Sequence, residues 1–433
     1  MQKGLNLKVW RSSQLPKEWF KRQQVDQKAT ADLESAVKMI INQVRSKGDG
    51  ALLEFAQRFD KAKLTPQTLR VSPQEIQDAY QKVTKEQIAA IEFMKQRVST
   101  FQKQLITNTD VRAFNEGIMV QTVLRPIESV GCYVPGGQAA YPSTVVMTAL
   151  VAKIAGVSRI VVCSPSDAEG KVNPLVLVAS DICGVTEIYK VGGAQAIAAL
   201  AYGTETIMPV LKIVGPGSKY VTMAKVLVSL DVAIDMPAGP SEVLIIADQY
   251  ADARLIAVDM ISQAEHGMDS VAALITPSAK LAQDVQDKLA NLSLSVPRAE
   301  KIVNSLSKYG FIIICSNIDE AVKLANQFAA EHLEVMANDA QKLAEKLVAG
   351  LILIGSNSPV ALSDYASGTN HVLPTGGFAQ AFSGLSAIDF MRRVSIAECS
   401  REALKKVKPQ VKVLTETENL PNHYKAIEAR FTQ

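Results

Sequence analysis

Only four histidines occur in a chain of 433 residues, and each has neighbours capable of chemistry. His266 follows Gln263 by three residues in SQAEHGMDS, at the end of a helical pattern that begins at Ala251. That spacing puts both side chains on one helix face, with Gly267 in place as a C-terminal cap. Such a pair can offer a cation one oxygen and one nitrogen, although on spacing alone a hydrogen-bonded surface pair is the commoner outcome. Glu331 and His332 are adjacent in AAEHLEVM, so on a regular element they point apart. If the backbone bends there, a carboxylate beside an imidazole suits acid–base work near neutral pH. Asp364 and His371 lie in the polar run SDYASGTNHVLPTGG, where a catalytic loop and a capped turn are both open readings. His423 falls near the apolar stripe of Leu420, Tyr424, Ile427 and Phe431, where a packed histidine is the commoner outcome. Glu418 lies just before that last helix.

Two kinds of element must position these groups. The first hundred or so residues have helical spacing over 31–58 and 73–103, broken at Gly48-Asp49-Gly50. From Glu128 onward, short β-rich runs appear at 129–134, 159–163, 187–191, 212–214, 232–235, 243–247, 271–276, 311–315 and 350–354. Helix-like stretches separate most of them, which argues for α/β layers with largely parallel sheets. That is too many strands for one tidy sheet, so two α/β lobes are expected. Glycine- and proline-rich turns follow strand-like runs at 135–137, 192–195, 215–218 and 237–242. None matches GxGxxG, yet their placement at the carboxyl ends of strands suggests a ligand-binding lobe. After Gly377 the alternation stops, leaving irregular segments and two short helices at 400–407 and 421–431. A tail of 378–433 is too small to hold a core, so it should pack on another lobe or another subunit.

The bulk composition excludes other classes. A net charge of +3, from 46 basic and 43 acidic side chains, is that of an ordinary soluble enzyme, not a nucleic-acid binder. The one dense basic run, KKVKPQVK at 405–412, reads as a solvated face. The longest apolar stretch, 143–157, is interrupted by Lys153 and is too short to span a bilayer. The N-terminus lacks the apolar segment of a secretory signal. Five scattered cysteines form neither a disulfide framework nor a thiolate metal site, and the cytoplasm is the expected compartment.

Taken together, the strings VGCYVPGG, VGGAQAIAALAYGTE, KIVGPG, IDMPAGPSEV, SQAEHG, AAEHLE, DYASGTNHVLPT and SGLSAIDF resemble the histidinol dehydrogenase family, in its order and over nearly the whole chain. The resemblance implies two Rossmann-like lobes with incomplete dinucleotide-fold topology in an intertwined homodimer. An N-terminal tail (1–25) would precede a zinc-site lobe (26–128 with 242–377), an NAD-binding lobe (129–241) and a dimerisation tail (378–433). It implies oxidation of L-histidinol to L-histidine by two NAD, the last steps of histidine biosynthesis. Zinc would be held by Gln263, His266, Asp364 and His423. Glu331 and His332 would be the catalytic pair. Ser241, His371 and Glu418 would contact substrate, together with His332 and the zinc ligands. Tyr133, Gln195 and Ser218 would contact NAD. Glu418 and His423, placed in the coreless tail, would complete the partner's site.

Three positions depart from the family pattern. Ser218 stands where asparagine is usual after GPG, the segment from Ser218 to Asp235 is a few residues short, and Asn419 replaces a glycine. The first two bear on cofactor affinity; asparagine tolerates the left-handed backbone the third requires. Rival readings are a sister enzyme acting on another small alcohol such as a sulfonated diol, a zinc hydrolase with Glu331 as base, and a non-catalytic zinc-binding relative.

Overall fold

Runs such as VLIIA at 243–247 carry no polar side chain to turn toward water, so a sheet containing them must be covered on both faces. The computed structural model of the chain does this twice. It describes residues 5–16, 19, 27–107, 111–136, 140–237 and 239–431. Most of the expected N-terminal tail after residue 16, and Gly137 and Ala238 of two expected turns, lie outside the described residues.

The larger sheet has six strands, all parallel, in the spatial order Lys8–Arg11, Phe311–Ile314, Val271–Thr276, Glu242–Ala247, His332–Met336 and Leu351–Ile354. The smaller has five, also parallel, in the order Glu187–Tyr189, Arg159–Cys163, Ser129–Tyr133, Lys212–Val214 and Ala233–Ile234. In each sheet the chain runs outward one way and then reverses past its first central strand. The reversal falls between Ser129–Tyr133 and Lys212–Val214 in one sheet, and between Glu242–Ala247 and His332–Met336 in the other. Crevices open at such reversals.

A third, antiparallel sheet joins Met391–Cys399, Ile118–Pro126 and Val111–Asn115. It covers no core of its own, and Val111, Phe114 and Val120 are exposed on it. The expectation of irregular chain after Gly377 is therefore corrected, because MRRVSIAEC forms a nine-residue strand. Its polar and apolar residues alternate in a way suited to an exposed ribbon, which the search for buried apolar runs passed over. The helix Arg401–Thr417 is also longer than expected, continuing through Pro409.

The helices of the first hundred residues, expected to belong with 242–377, pack mainly on the helices that flank the five-stranded sheet. Gln27–Lys47 lies on Gly193–Tyr202 and Lys219–Val228, Pro73–Tyr80 on Pro174–Ile182, and Lys85–Thr107 on Val151–Ala155. Lys8–Arg11, expected in a tail, is instead an edge strand of the larger sheet. Among the described residues, no helix is long and apolar enough to cross a membrane.

Candidate active site

The catalytic candidates gather at the amino ends of two neighbouring strands. Glu242 opens the Glu242–Ala247 strand with Ser241 just before it, and His332 opens His332–Met336 with Glu331 just before it. The two strands are in register, His332 opposite Val243. Helix Ala253–Ala264 leaves the far end of the first strand and returns, delivering Gln263 in its last turn and His266 just beyond. Val360–Tyr365 returns in the same way from Leu351–Ile354 and delivers Asp364. Two helix C-termini, with their partial negative charge, thus converge on one place, which favours a cation there.

In the five-stranded sheet the expected turns do follow the carboxyl ends of strands, at Pro135 and at 215–218. In the larger sheet the carboxylates and imidazoles approach from the opposite, amino edge. A cavity of about 390 Å³ lies where the two edges face each other. Pro135, Pro216 and Ser218 line it from one side, and Ser241, Gln263 and His266 from the other. Glu331, His332, Asp364 and His371 complete it.

Gln263 is 2% exposed, yet neither atom of its side-chain amide has a hydrogen-bond partner among the described residues. A buried, unsatisfied amide is costly, about 1–3 kcal/mol. A cation that accepts its oxygen's lone pairs removes the oxygen's share of that cost. His266 Nδ1 lies 3.3 Å from the Gln263 backbone carbonyl. A hydrogen on Nδ1 would donate to it, leaving Nε2 bare for a cation. Glu265, not Gly267, caps the helix, so His266 stands beyond the last turn, where it is exposed.

Asp364 Oδ1 is 3.9 Å from both His332 Nε2 and His371 Nδ1. His332 is 4% exposed, and its Nε2 has no hydrogen-bond partner among the described residues. Its Nδ1 faces the Glu242 carbonyl at 3.4 Å and Glu331 Oε2 at 3.7 Å. Glu331 Oε2 in turn accepts from the Glu242 amide at 2.7 Å. Burial pushes the His332 pKa down, but the charge and hydrogen bond of Glu331, with Asp364 behind them, carry it above the ordinary value. For His371 burial wins against Asp364, and its pKa is lowered.

Sequence reasoning missed Glu242, buried at 4%, whose backbone holds both members of the pair and whose Oε1 accepts from the Gly376 amide at 3.2 Å. A lone carboxylate heading an otherwise apolar strand was the available signal. It also missed Glu334, two residues beyond His332 on the same strand face and 1% exposed. Glu334 Oε1 accepts from the Val360 amide at 2.9 Å, pinning the start of the helix that carries Asp364. Its carboxyl meets that of Asp259, one turn before Gln263, and two carboxyls in contact require a proton between them.

Burial, then the charge of Asp259, push the Glu334 pKa from 4.5 up to about 8, and burial raises Asp259 to about 6. The folded state therefore holds protons that the unfolded chain releases, and stability falls as pH rises from the ordinary carboxylate range toward 8. Melting temperatures between pH 5 and pH 9 are expected to decline in the parent and to decline less in Glu334→Gln. Identical slopes would show that the carboxyl pair holds no extra proton.

Against the five-stranded lobe, a second cavity of about 430 Å³ is lined by Phe55, Phe59, Asp60, Gly193, Gln195 and Ser218. Phe55 and Phe59 stack, with ring centroids 5.6 Å apart. Ser218 precedes the Lys219–Val228 helix without capping it through its side chain, and it borders both cavities. It is therefore the point where they meet. Tyr133 is buried behind this wall, its hydroxyl accepting from the Gly193 amide at 3.0 Å.

Glu418 and His423 do not reach the site within one chain; both are exposed on the tail, where the Pro421–Glu428 helix buries no residue. Among the described residues, no three imidazole, thiol or carboxylate groups converge as a metal centre. Asn419 takes the left-handed backbone, φ 56°, that its position demands. Four of the five cysteines are buried, and burial pushes the Cys132 and Cys183 thiols up to about 12 and Cys315 to about 11.

A family model for histidinol dehydrogenase matches residues 22–431. Histidinol dehydrogenase of Rhodopseudomonas palustris is 44% identical over 404 residues, covering 93% of this chain and 94% of that one. The enzyme of the same name from Methanothermobacter thermautotrophicus is 44% identical over 400 residues, covering 92% and 93%. The crystal structure of histidinol dehydrogenase from Elizabethkingia anophelis superposes with a TM-score of 0.92 at 34% identity, covering 99% of both chains.

Proposed function

The chain belongs to the histidinol dehydrogenase family of NAD-dependent oxidoreductases, and on that premise we propose that it oxidises L-histidinol to L-histidine through histidinaldehyde, with two NAD and one water consumed. The observation that carries this is the unsatisfied amide of Gln263 beside the Glu331–His332 pair, at the meeting point of two cavities.

The donors fit a zinc ion: one amide oxygen, one imidazole and one carboxylate gathered under two helix C-termini. Gln263, His266 and Asp364 would hold it, with His423 of the partner subunit as the fourth ligand. Bound there, zinc supplies a positive anchor for the imidazole and amino nitrogens of the substrate. Gln195, Ser218 and Tyr133 would hold NAD, which when bound would supply the acceptor for the hydride of each oxidation.

The chain's own residues do the rest. His332 Nε2, bare and facing the cavity, takes the alcohol proton as the hydride departs. Glu331, oriented by the Glu242 amide, draws a proton from water as that water adds to the aldehyde carbon. His332 returns its proton to the aldehyde oxygen as the hydrate forms and, bare again, takes a hydrate proton during the second hydride transfer. Ser241 and His371 line the substrate's place, and Glu418 of the partner subunit offers a carboxylate to a cationic substrate.

The active form proposed is a homodimer, because a single chain leaves the site incomplete. A cavity of about 680 Å³ runs outward from His266 and Asp364 past Met94 and Tyr141, and a second copy's tail would enter there. The same copy would cover the exposed apolar residues of the antiparallel sheet.

Run to completion on limiting L-histidinol, the zinc-loaded protein is expected to form two NADH per substrate and to lose this activity with a chelator. One NADH per substrate would remove the second oxidation. None, in a protein that binds zinc, would remove the substrate assignment.

A further inference from the structure

Among the largest of the most deeply buried side chains is a charged one, Lys225. It sits in the Lys219–Val228 helix, two turns below Ser218, and forms an ion pair with Asp235, just past the Ala233–Ile234 strand. Their side chains are 3% and 0% exposed. Burying two charges is expensive, and well-packed apolar residues in their place would often be as stable. The pair therefore calls for a reason other than stability.

Both partners also grip the same residue. Lys225 Nζ donates to the Gly215 carbonyl at 3.0 Å, and the Gly215 amide donates to Asp235 Oδ2 at 2.8 Å. Gly215 has φ +116°, and a Cβ there would collide with the Tyr133 carbonyl, so only glycine can lie this close to that strand. The next residues, Pro216 to Ser218, line the first cavity, and Ser218 lines the second as well. We propose that Lys225 and Asp235 are positioning residues for the cofactor, clamping both polar atoms of Gly215 so that the 215–218 turn presents its backbone and Ser218 to NAD.

The clamp deepens the proposed NAD site and rests on it. It supplies from beneath the loop a rigidity that does not depend on the side chain at 218. A loop fixed in advance loses less conformational freedom on binding, so the effect belongs in affinity and not in the chemical step.

The test replaces the pair with apolar residues, Lys225→Met with Asp235→Leu, so that no charge is left buried alone. NADH binding is measured by fluorescence titration, beside zinc content, melting temperature, KM for NAD and kcat. The expected result is NADH affinity weakened about tenfold, with KM for NAD rising in step and kcat, zinc content and melting temperature near those of the parent. Asp235→Asn, which retains an acceptor for the Gly215 amide, is expected to lose less than the double variant and serves if the latter folds poorly. Affinity within about twofold of the parent in a folded double variant would overturn the clamp. Gln195→Ala separates the two claims. If it weakens NADH binding and the double variant does not, the clamp falls alone; if neither does, the cofactor site falls with it.

Discussion

Replacing His332 by asparagine is expected to lower kcat by about a hundredfold to ten-thousandfold while leaving zinc content and melting temperature close to the parent's. Asparagine keeps a polar side chain facing the Glu242 carbonyl but removes the bare Nε2. That nitrogen is buried, faces the cavity and is 3.9 Å from Asp364 Oδ1, too far for a hydrogen bond to satisfy it. A base held bare until substrate arrives spends nothing on breaking an earlier bond. Glu331 makes the imidazole a better acceptor by raising its pKa against the pull of burial. Both oxidations need a proton removed from oxygen, so the loss should appear in each half-reaction when histidinol and the aldehyde are assayed separately. A loss of less than about tenfold would move the role of base to another group.

The second large effect concerns assembly. His332→Ala and His423→Ala are each expected to be nearly inactive alone, and to recover activity when unfolded and refolded together. In a mixed dimer one of the two sites combines an intact His332 with an intact His423. With random pairing, about half the dimers are mixed and about a quarter of parental activity returns. The structure gives this test its force, because His332 is buried in the cavity while His423 is exposed on a helix that buries nothing. If the mixture remained as inactive as its components, each site would be built from one chain and a zinc set including His423 would be untenable.

Much of the framework was legible. The apolar runs at 159–163 and 271–276 become strands with those bounds, since a run of apolar residues of that length has one economical burial. His332–Met336 was not expected as a strand because HLEVM mixes charge with apolar residues. Its Glu334 enters the core only through a helix amide and a second carboxyl that no local pattern reveals. The site residues were legible as residue types and as a resemblance, but not as an arrangement. Spacing put Gln263 and His266 on one helix face, whereas the helix stops between them. That the site lies at the amino edge of one sheet and the carboxyl edge of the other follows from the path of the chain between strands, which alternation does not encode. The tail's strand was missed because it pairs with residues some 270 positions earlier, Arg392 with Arg125 among them.

The burial of Cys132, Cys163, Cys183 and Cys315 has a consequence for the fate of the aldehyde. With their pKa values pushed far above neutrality, almost none of these thiols is ionised, and none is available to tether a carbonyl carbon. In the proposed reaction an aldehyde made in this site would then be retained by a race of rates, its escape set against its hydration and second oxidation. Any change that slows the second step without tightening the site's hold converts an enzyme that completes its reaction into one that leaks a reactive electrophile.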